Sequence, residues 1–440
     1  MGRTRLLALA CLVIGAQQLA AQGPRSAPHG FAADRLARID RVLQEYVDSG
    51  RIAGAVVVVL HDGDVAYRRA VGWGDVESHR LMTYQTLFRI ASQTKALTSV
   101  VILSLMEEGR LSVDDPVSRY IPAFAHTTVA TRSDTGRVIK PASRQITIRD
   151  LLTHTAGISY GTDSLVSTLY AAKGLGPAAG RGWYTADKDE PICATIERLA
   201  TLPFVAQPGE RWVYGYNTDI LGCVAERAAG MPLDELIRTR ITGPLHMNDT
   251  YFFVPAGAAD RLATVYASDS TNHIRRAPDG PRGQGNYVTG PRKSFAGGAG
   301  LISTAPDYAR FLQMLLDGGE LDGVRVFDPR TIRRATSEQS YLEFDLTLGL
   351  PFRYGMGFML GGQWFSPYGP DTRYAFGHLG FTNIVSWADP ERQVAATLMT
   401  SGKPLVYPEL YHLFDVLRQI GLACDKARPT PRRLLAAAVS

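Results

Sequence analysis

The sequence predicts an α+β fold in which one antiparallel sheet is flanked by helices from the two ends of the chain. Residues 31–49 place apolar side chains at helical spacing, which predicts an amphipathic helix. The apolar run 53–60 and the segment 65–70 follow this helix. An Asp-Gly pair at residues 62–63 separates them, as is typical of a tight β-hairpin turn.

The other end of the chain has the same parts in reverse order. Residues 384–388 and 393–399 predict a second hairpin, and a helix is predicted over residues 407–420. A helix followed by a hairpin and a hairpin followed by a helix can share one layer. We therefore expect both hairpins to pair in a single antiparallel sheet that is backed by both terminal helices.

The middle of the chain predicts a large insertion into this sheet domain. Residues 111–291 contain short helical patterns joined by polar or Gly-rich loops, such as 131–143 and 161–189. We therefore assign residues 30–110 and 292–424 to an α/β sheet domain and residues 111–291 to a mostly helical insertion domain.

The composition is that of a globular protein and argues against one class of partner. Of the 440 residues, 45% are hydrophobic and 20% are charged, which is ordinary for a folded chain. The formal net charge of +5 is small for this length, and the arginines are scattered rather than clustered with aromatic residues. No nucleic-acid partner is therefore expected.

The first residues predict a secretory signal peptide over residues 1–21. Two arginines precede an apolar run at residues 6–16, and small residues stand before the expected cleavage point. The run is too short to span a bilayer. Cys11 lies inside it, so lipidation is not expected. We expect an exported protein, periplasmic or secreted and not integral to a membrane, with a poorly packed C-terminal extension over residues 425–440.

The remaining cysteines predict neither a disulfide framework nor a metal site. Cys193, Cys223 and Cys424 are an odd number at wide, irregular spacing. At most one bridge can form, and its pairing stays open.

The first motif with a chemical meaning is Ser92-x-x-Lys95, which occurs once in the chain at the start of an apolar helix. Residues three apart share a helix face, so the lysine amine would lie beside the serine hydroxyl and could take its proton. The alternative is that Ser92 only caps the helix. A capping serine prefers Glu or Gln three residues on, whereas Lys95 is disfavoured there by the helix dipole.

The helix that follows, over residues 94–108, has almost no polar face, so we expect it to be buried. Burial would lower the pKa of Lys95 by favouring the neutral amine, and the helix N-terminus would favour a developing alkoxide on Ser92. This setting suits a serine hydrolase whose base is a lysine.

A second cluster, over residues 208–222, leads from a loop into a helix and contains Tyr214, Tyr216 and Asn217. Either tyrosine could serve in catalysis or as a packing aromatic. Asn217 stands before a helical pattern, so it could equally be an N-cap.

A third cluster, over residues 374–383, places His378 between glycines just before the last hairpin. A single histidine on a strand is usually structural, but the glycines would allow another chain or a ligand to approach the backbone closely.

Together, and in this order, the three clusters resemble the serine β-lactamase and penicillin-binding-protein superfamily. The closest resemblance is to the branch of class C β-lactamases, D-alanyl-D-alanine carboxypeptidases and family VIII carboxylesterases. The resemblance covers residues 31–420 and includes the stretches 150–157 and 297–304. It implies a β-lactamase-like fold.

The resemblance also implies that Ser92 is the nucleophile and Lys95 its partner, with Tyr214 as the tyrosine of the second motif. Tyr214 is preferred to Tyr216 because its distance to the following residues 219–222 matches the esterase-like members. The family's Tyr-x-Asn is not met literally, and Asn217, one residue late, is the candidate to replace its asparagine.

The segment His378-Leu379-Gly380 falls where β-lactamases carry Lys-Thr-Gly, which is absent from the chain. That lysine holds the carboxylate of the drug, so its loss favours neutral acyl esters. By resemblance, the backbone N–H groups of Ser92 and Phe381 would hold the oxyanion. His378, Gly380, Phe381 and Asn217 are thus the candidates for substrate or oxyanion contacts.

These observations predict a serine hydrolase that acts through an acyl-enzyme on a small-molecule ester, β-lactam or peptide, most simply a carboxylesterase. No metal or cofactor is required, since no His-Glu-x-x-His spacing occurs. The alternatives are a β-lactamase or D-alanyl-D-alanine carboxypeptidase, and a catalytically silent relative that binds cell-wall peptide. A rival nucleophile is Ser159 in the Gly-x-Ser-x-Gly pattern of residues 157–161, which would need a buried strand before it.

Overall fold

A computed structural model describes residues 31, 33–134, 136–176, 187–269, 271, 273–280, 283–345, 350–403 and 409–423. The predicted signal peptide, the C-terminal extension and Cys424 lie outside these residues, and the predictions made for them stay predictions. In the part of the chain that is described, no helix is both long and apolar enough to cross a membrane.

The α-helices alternate with strands along the chain. They are α1 (Ala33–Asp48), α2 (Thr94–Glu107), α3 (Ile148–Leu152), α4 (Ser167–Ala172), α5 (Ile192–Ala200), α6 (Asn217–Ala229), α7 (Leu233–Ile237), α8 (Ala305–Leu316), α9 (Pro329–Ala335) and α10 (Glu409–Ala423). Short 3-10 turns span Ala91–Gln93, Val117–Arg119, Pro122–His126 and Ala259–Arg261, and a π turn spans Arg238–Thr242.

The strands form one large sheet and several small ones. They are β1 (Gly54–His61), β2 (Asp64–Asp75), β3 (Arg80–Leu81), β4 (Phe88–Arg89), β5 (Thr128–Ser133), β6 (Gly136–Pro141), β7 (Tyr266–Ser268), β8 (Ile274–Arg276), β9 (Ile302–Ser303), β10 (Glu320–Leu321), β11 (Val324–Arg325), β12 (Ser340–Asp345), β13 (Leu350–Tyr354), β14 (Met359–Leu360), β15 (Phe376–Gly380), β16 (Ile384–Asp389), β17 (Val394–Thr400) and β18 (Gly402–Lys403). The nine-stranded sheet has the order β12-β13-β14-β15-β16-β17-β1-β2-β3, and its neighbours are antiparallel.

Both predicted hairpins are present, and they meet in the middle of the large sheet. Asp62 and Gly63 join β1 to β2 with φ values of 51° and 86°, the left-handed backbone that a two-residue hairpin turn requires. β17 pairs with β16 on one side and with β1 on the other, with Val57 opposite Leu398. The single antiparallel sheet predicted from the two ends of the chain is therefore confirmed.

The terminal helices α1 and α10 pack together on one face of this sheet, as predicted. Ile39 of α1 and Leu417 of α10 belong to the same buried cluster as Val57. The hydroxyl of Tyr46 donates a hydrogen bond to Asp415 Oδ2 at 3.0 Å, which joins the two helices at their surface. The observed ends differ from the predicted ends by a few residues, as is usual where helix ends fray.

Helices α2 and α8 cover the opposite face. Twelve residues of α2 are buried, which confirms the prediction of a helix enclosed on all sides. α8 lies against β16, β17 and β1, while α2 contacts α6 of the insertion. α2 thus lies between the sheet and the insertion, and its N-terminus is the point at which side chains from both can meet.

The insertion contains helices α3 to α7, but the prediction of a loop over residues 131–143 is wrong. β5 and β6 form a hairpin there, with Thr131 opposite Val138. Both faces of this hairpin carry exposed polar residues, such as Arg132 on one face and Ser133 on the other, so the alternation of apolar and polar residues that would reveal a strand is missing. The predicted loop 161–189 likewise contains α4.

A disulfide joins the insertion helices α5 and α6. It links Cys193 to Cys223, whose Cα atoms are 5.1 Å apart. The sequence left this pairing open. The bridge closes a loop that contains the whole second cluster, residues 208–222.

Candidate active site

Ser92 lies in the 3-10 turn Ala91–Gln93, which continues directly into α2. Its hydroxyl is half-buried, and the N-cap position of α2 is Gln93, with no side-chain capping bond. The interpretation of Ser92 as a mere helix cap is therefore wrong. Lys95 lies one turn on, is fully buried, and has its Nζ 3.4 Å from Ser92 Oγ.

The amine of Lys95 is held by groups from three separate segments. Besides Ser92 Oγ, Nζ lies 2.9 Å from the hydroxyl of Tyr160 and 2.7 Å from the carbonyl oxygen of Gly298. An ammonium could donate to all three oxygens. A neutral amine could donate to the Gly298 carbonyl and to one hydroxyl while its lone pair accepts from the other. The arrangement therefore accommodates both protonation states that a proton-transfer group must adopt.

Tyr160 is a residue that the sequence analysis missed as a partner of Lys95. It lies in the irregular segment after α3, is 6% exposed, and packs edge-on against Tyr214 and Tyr216, with centroid distances of 5.8 and 4.9 Å. No periodicity of a single sequence could reveal this contact, because it joins a loop to a helix 65 residues away. The sequence feature closest to Tyr160 that the resemblance included was the stretch 150–157.

Tyr214 presents its ring face to the lysine. Lys95 Nζ is 4.7 Å from the ring centroid, a distance at which a cation is attracted to the π face. On its other sides the ring stacks on His154 at 4.8 Å and on Trp212 at 5.6 Å. The hydroxyl of Tyr216, in contrast, accepts a hydrogen bond from the Gly176 backbone N–H at 2.9 Å.

Asn217 is the first residue of α6 and is fully buried beneath this aromatic group. The N-cap residue is Tyr216, and it makes no side-chain capping bond, so the interpretation of Asn217 as the cap is wrong. Asn217 Nδ2 donates to the carbonyl of Val213 at 3.1 Å and lies 2.8 Å from His154 Nδ1. Asn217 thus ties the loop before α6 to the segment after α3.

His154 is an uncharged member of this group. Burial, and secondarily the proximity of Lys95, lowers its pKa well below the usual range for histidine. Because the imidazole is neutral and Asn217 Nδ2 is a donor, His154 Nδ1 accepts and Nε2 carries the proton. The imidazole therefore adds no positive charge near Lys95.

The turn that supplies the Gly298 carbonyl is fixed from two directions. The Gly298 backbone N–H donates to Asp219 Oδ1 at 3.0 Å, and Thr98 Oγ1 donates to the Gly297 carbonyl at 2.9 Å. A Cβ atom at Gly298 would lie 2.4 Å from the Asp219 carboxylate, so only glycine fits there. The carbonyl is thereby aimed at Lys95 by α2 and α6 together.

His378 lies in the middle of β15 and is fully buried. Its Nδ1 is 2.6 Å from the carbonyl of Leu379, and its Nε2 is 3.3 Å from the hydroxyl of Tyr354. Burial, followed by the charge of Lys95, lowers the pKa of His378 to about 3. The imidazole is therefore neutral at physiological pH, with Nδ1 donating and Nε2 accepting.

Gln93 connects the Ser92 turn to the sheet. Its Nε2 donates to the His378 carbonyl at 3.1 Å and to Ser386 Oγ at 2.9 Å, and these two residues are opposite each other on β15 and β16. Gln93 was not singled out from the sequence. The sequence does place this glutamine at the start of a helix predicted to be buried. The side-chain amide of a buried glutamine needs hydrogen-bond partners.

Gly380 ends β15 close to the segment before Ser92, and Phe381 follows it in a turn. A Cβ atom at Gly380 would lie 2.7 Å from the Ile90 carbonyl and 2.4 Å from the Ile384 side chain. Neighbouring segments of the protein, rather than a ligand, thus approach the backbone closely at this glycine. Thr382 Oγ1 also donates to the Arg89 carbonyl at 2.6 Å. Phe381 is 37% exposed at this junction.

Ser159, the rival nucleophile, lies in irregular chain that follows α3, with no strand before it. It is 4% exposed, and its Oγ accepts a hydrogen bond from the Gly161 N–H at 3.1 Å. This arrangement lacks the strand-turn-helix geometry of a nucleophile elbow. Among the described residues, no group of three His, Cys, Asp or Glu side chains is placed to hold a metal ion.

Comparisons with known proteins find a matching family model and similar proteins. The Beta-lactamase family model matches residues 39–413. An uncharacterized protein of Mycobacterium tuberculosis is 39% identical over 330 residues, which cover 72% of this chain and 76% of that protein. Esterase EstB of Burkholderia gladioli is 33% identical over 296 residues, covering 64% of this chain and 71% of the esterase.

A solved structure is also similar. EstCE1, described as a hydrolase with promiscuous acyltransferase activity, superposes with a TM-score of 0.72 at 25% identity, covering 87% of this chain and 98% of EstCE1. The expected β-lactamase-like α+β fold is therefore confirmed. The chain belongs to the Beta-lactamase family and is a serine hydrolase of the β-lactamase and penicillin-binding-protein superfamily.

Proposed function

We propose that this enzyme is a carboxylesterase that hydrolyses neutral acyl esters through an acyl-enzyme on Ser92. The observation that carries the proposal is the state of His378. By the resemblance, this residue falls where β-lactamases carry the lysine that binds the drug carboxylate. It is buried, uncharged, and engaged with the Tyr354 hydroxyl and the Leu379 carbonyl. It offers no positive charge to a substrate carboxylate.

In the proposed mechanism, the neutral amine of Lys95 takes the proton of Ser92 Oγ as that oxygen attacks the ester carbonyl carbon. The carbonyl oxygen becomes an oxyanion, held by the backbone N–H groups of Ser92 and Phe381. When the tetrahedral intermediate collapses, the alkoxide leaves with the proton that Lys95 took from Ser92, which reaches it through the Tyr214 phenol. Water then attacks the acyl-serine with Lys95 again as base, which releases the carboxylic acid and restores Ser92.

The two tyrosines have different parts in this scheme. Tyr160 holds the amine in place through a direct hydrogen bond, at 2.9 Å. Tyr214 stabilises the transient ammonium with its ring face and, since it is half-exposed, its hydroxyl is the phenol better placed to pass a proton to the leaving alkoxide. The Gly298 carbonyl accepts from the amine throughout the cycle.

The test compares a short-chain nitrophenyl ester with a chromogenic cephalosporin and a D-alanyl-D-alanine peptide, using Ser92→Ala as the blank for each. We expect ester turnover that disappears in the variant, with little cleavage of the two substrates that carry a carboxylate. Dominant cleavage of the cephalosporin or the peptide would replace this proposal by one of the alternatives. A folded protein that no fluorophosphonate labels at Ser92 would favour a silent binding protein.

We also propose that the enzyme is exported. The predicted signal over residues 1–21 motivates this, and the Cys193–Cys223 bridge supports it because structural disulfides persist mainly in oxidising compartments. The test is the N-terminus of the protein recovered outside the cytoplasm. Cleavage near residue 21 is expected, and an intact chain retained in the cytoplasm would contradict export.

A further inference from the structure

Ala91, the residue before the nucleophile, has a left-handed backbone conformation. Its φ is 45°, whereas φ is −80° at Ile90 on one side and −64° at Gln93 on the other. The other non-glycine residues with a positive φ in the described part of the chain all carry polar side chains, those of Asp, Asn, His, Gln or Arg. A left-handed conformation brings the Cβ of an L-residue too close to a carbonyl oxygen. Ala91 is therefore a strained residue beside the catalytic serine.

The chain on both sides of Ala91 is held by hydrogen bonds from other segments. Before it, the Ile90 N–H donates to the Leu301 carbonyl at 3.0 Å. After it, the Gln93 carbonyl accepts from the Tyr308 hydroxyl at 3.1 Å. Because both neighbours are fixed, the residue between them cannot relax without breaking these bonds. A strained conformation persists under this condition, in which the surrounding structure determines it.

The conformation of Ala91 sets the direction of the Ser92 backbone N–H. The peptide unit between the two residues is planar, so this N–H turns with the backbone dihedral angles of Ala91. The Ser92 N–H makes no hydrogen bond to the described residues, so it is available to hold an oxyanion. Ser92 Oγ, 3.4 Å from Lys95 Nζ, turns with the same rotation. A right-handed φ at Ala91, with Ile90 fixed, would therefore redirect both groups of Ser92.

The methyl group of Ala91 offers a competing explanation. It is 2% exposed and belongs to a buried apolar cluster that includes Leu87, Val254 and Ile302. A merely structural residue would matter through the volume it fills, whereas a positioning residue would matter through its φ. Substitutions can separate the two explanations, because side chains of similar volume differ in how well they tolerate a positive φ.

We propose that Ala91 is a positioning residue whose left-handed conformation directs the Ser92 N–H toward the oxyanion and Ser92 Oγ toward Lys95. It acts through Ser92 and not by contact with the substrate. The inference rests on Ser92 being the nucleophile of the proposed function, and it supplies the cause of that residue's orientation. Tolerance of a positive φ at position 91, and not side-chain volume, then determines how fast Ser92 reacts.

The experiment measures the rate at which a fluorophosphonate reacts with Ser92 in the full-length protein. Asn and Thr have similar volumes, but asparagine adopts a positive φ far more readily than a β-branched residue does. Ala91→Thr should have a maximal labelling rate at least about tenfold below that of Ala91→Asn, with half-saturating concentrations within about twofold of each other. Ala91→Gly adopts a positive φ without strain and should react within about threefold of the wild-type rate. Circular dichroism checks that each variant folds.

Unfolding in urea tests the strain itself. Ala91→Gly removes the Cβ atom that disfavours the left-handed conformation, so its midpoint should be no lower than that of the wild-type protein. Ala309→Gly is the matched control, because Ala309 is equally buried, at 1% exposed, but lies inside the right-handed helix α8. Its midpoint should be lower, since glycine is unfavourable in a helix interior.

Three results would overturn the proposal. The first is a folded Ala91→Thr variant that reacts as fast as Ala91→Asn, or that folds where Ala91→Asn does not. The second is a rate in Ala91→Gly at least about tenfold below the wild-type rate, which would make the methyl group the important feature. The third is a midpoint for Ala91→Gly as low as that for Ala309→Gly, and this comparison decides if neither larger variant folds. Wild-type protein that is not labelled at Ser92 would instead contradict the proposed function, so the two failures are distinct.

Discussion

The two walls around Lys95 are held in different ways. The sheet wall, made of Gln93, His378, Ser386 and Tyr354, is joined by side-chain hydrogen bonds of 2.9–3.3 Å. The insertion wall, made of Tyr160, Tyr214, His154, Trp212 and Asn217, is joined largely by ring contacts with centroid distances of 4.8–5.8 Å.

The difference extends to buried polar atoms. In the insertion wall, His154 Nε2, Trp212 Nε1 and Asn217 Oδ1 are buried without a hydrogen-bond partner among the described residues. In the sheet wall, the Gln93 amide and the His378 imidazole are both engaged. Directional bonds fix positions more tightly than ring packing does. We infer that the enzyme holds its nucleophile rigidly and leaves the groups that handle the proton more adaptable.

The largest effect is expected at Lys95, where the two walls meet. Lys95→Met keeps the volume but removes the base, so kcat/KM for a nitrophenyl ester should fall by at least about a thousandfold. Circular dichroism and thermal unfolding check that the variant folds. A folded variant that keeps more than a tenth of the activity would mean that another group takes the Ser92 proton.

The tyrosines of the insertion wall should differ in their kinetic signature. Tyr160→Phe removes a buried hydrogen bond to the amine and should lower kcat about ten- to a hundredfold, with KM within about twofold. Tyr214→Phe should lower kcat by about a hundredfold if its phenol passes the proton.

Tyr216→Phe is the matched control for both tyrosines, since its hydroxyl bonds the Gly176 N–H. It should leave kcat within a few fold of the wild-type value. An unchanged kcat in Tyr160→Phe would make that residue a packing group only.

Stability should depend on Gln93 more than on a similar glutamine elsewhere. Gln93→Leu leaves the His378 carbonyl and Ser386 Oγ without this donor in a buried place, which should cost about 1–3 kcal/mol of unfolding free energy. Gln313→Leu, equally buried on α8 with one bond to Asp317, is the control and should cost less. Equal losses in denaturant unfolding would show that the sheet wall has no special rigidity.

The two histidines predict a loss of stability in acid. The folded-state pKa of His378 is about 3, below its unfolded value of roughly 6.5, so the unfolded chain binds more protons between these values. Stability is therefore full above about pH 6.5 and falls as the pH decreases toward 3, by roughly 1.4 kcal/mol per pH unit for each such histidine. The pKa of His154 is lowered in the same direction.

His378→Gln should reduce this slope, whatever it does to stability at neutral pH. The measurement is the unfolding free energy in urea at several pH values between 4.5 and 7.5. A slope identical to that of the wild-type protein would show that His378 is already protonated in the folded enzyme.

The smallest effect is expected at Ser159. Ser159→Ala removes a hydroxyl whose one hydrogen bond to the described residues is accepted from the Gly161 N–H, so ester turnover should stay within about twofold. Loss of activity in a normally folded variant would overturn the assignment of Ser92 as the nucleophile.

The large sheet could be predicted from the sequence because its signals are local. Two local patterns predict these strands and where they end. They are the Asp-Gly turn before β2 and the apolar runs of β1 and β17. The hairpin β5–β6 could not be predicted, because the buried side chains of β5, Val129 and Ala130, are adjacent rather than alternating, and β6 has no buried residue.

The site residues also divide into those that local sequence patterns predict and those that depend on tertiary packing. Ser92 and Lys95 could be found because helix geometry makes a spacing of three a contact. Tyr160 could not, since its contact with Lys95 depends on how the insertion packs on α2. The Gly298 carbonyl could not be predicted either, because it is a backbone group and no side-chain type marks it in the sequence. The glycines themselves were part of the resemblance.

The Cys193–Cys223 bridge has a practical consequence for handling the enzyme. The loop that it closes carries Tyr214 and Asn217, and a bridge across a loop of this length contributes about 3–4 kcal/mol by restricting the unfolded chain. Reductants added routinely during purification would break the bridge and remove this stabilisation. The insertion wall would be affected first. Batches prepared with and without thiols would then differ in shelf life and heat tolerance while giving the same mass on a gel.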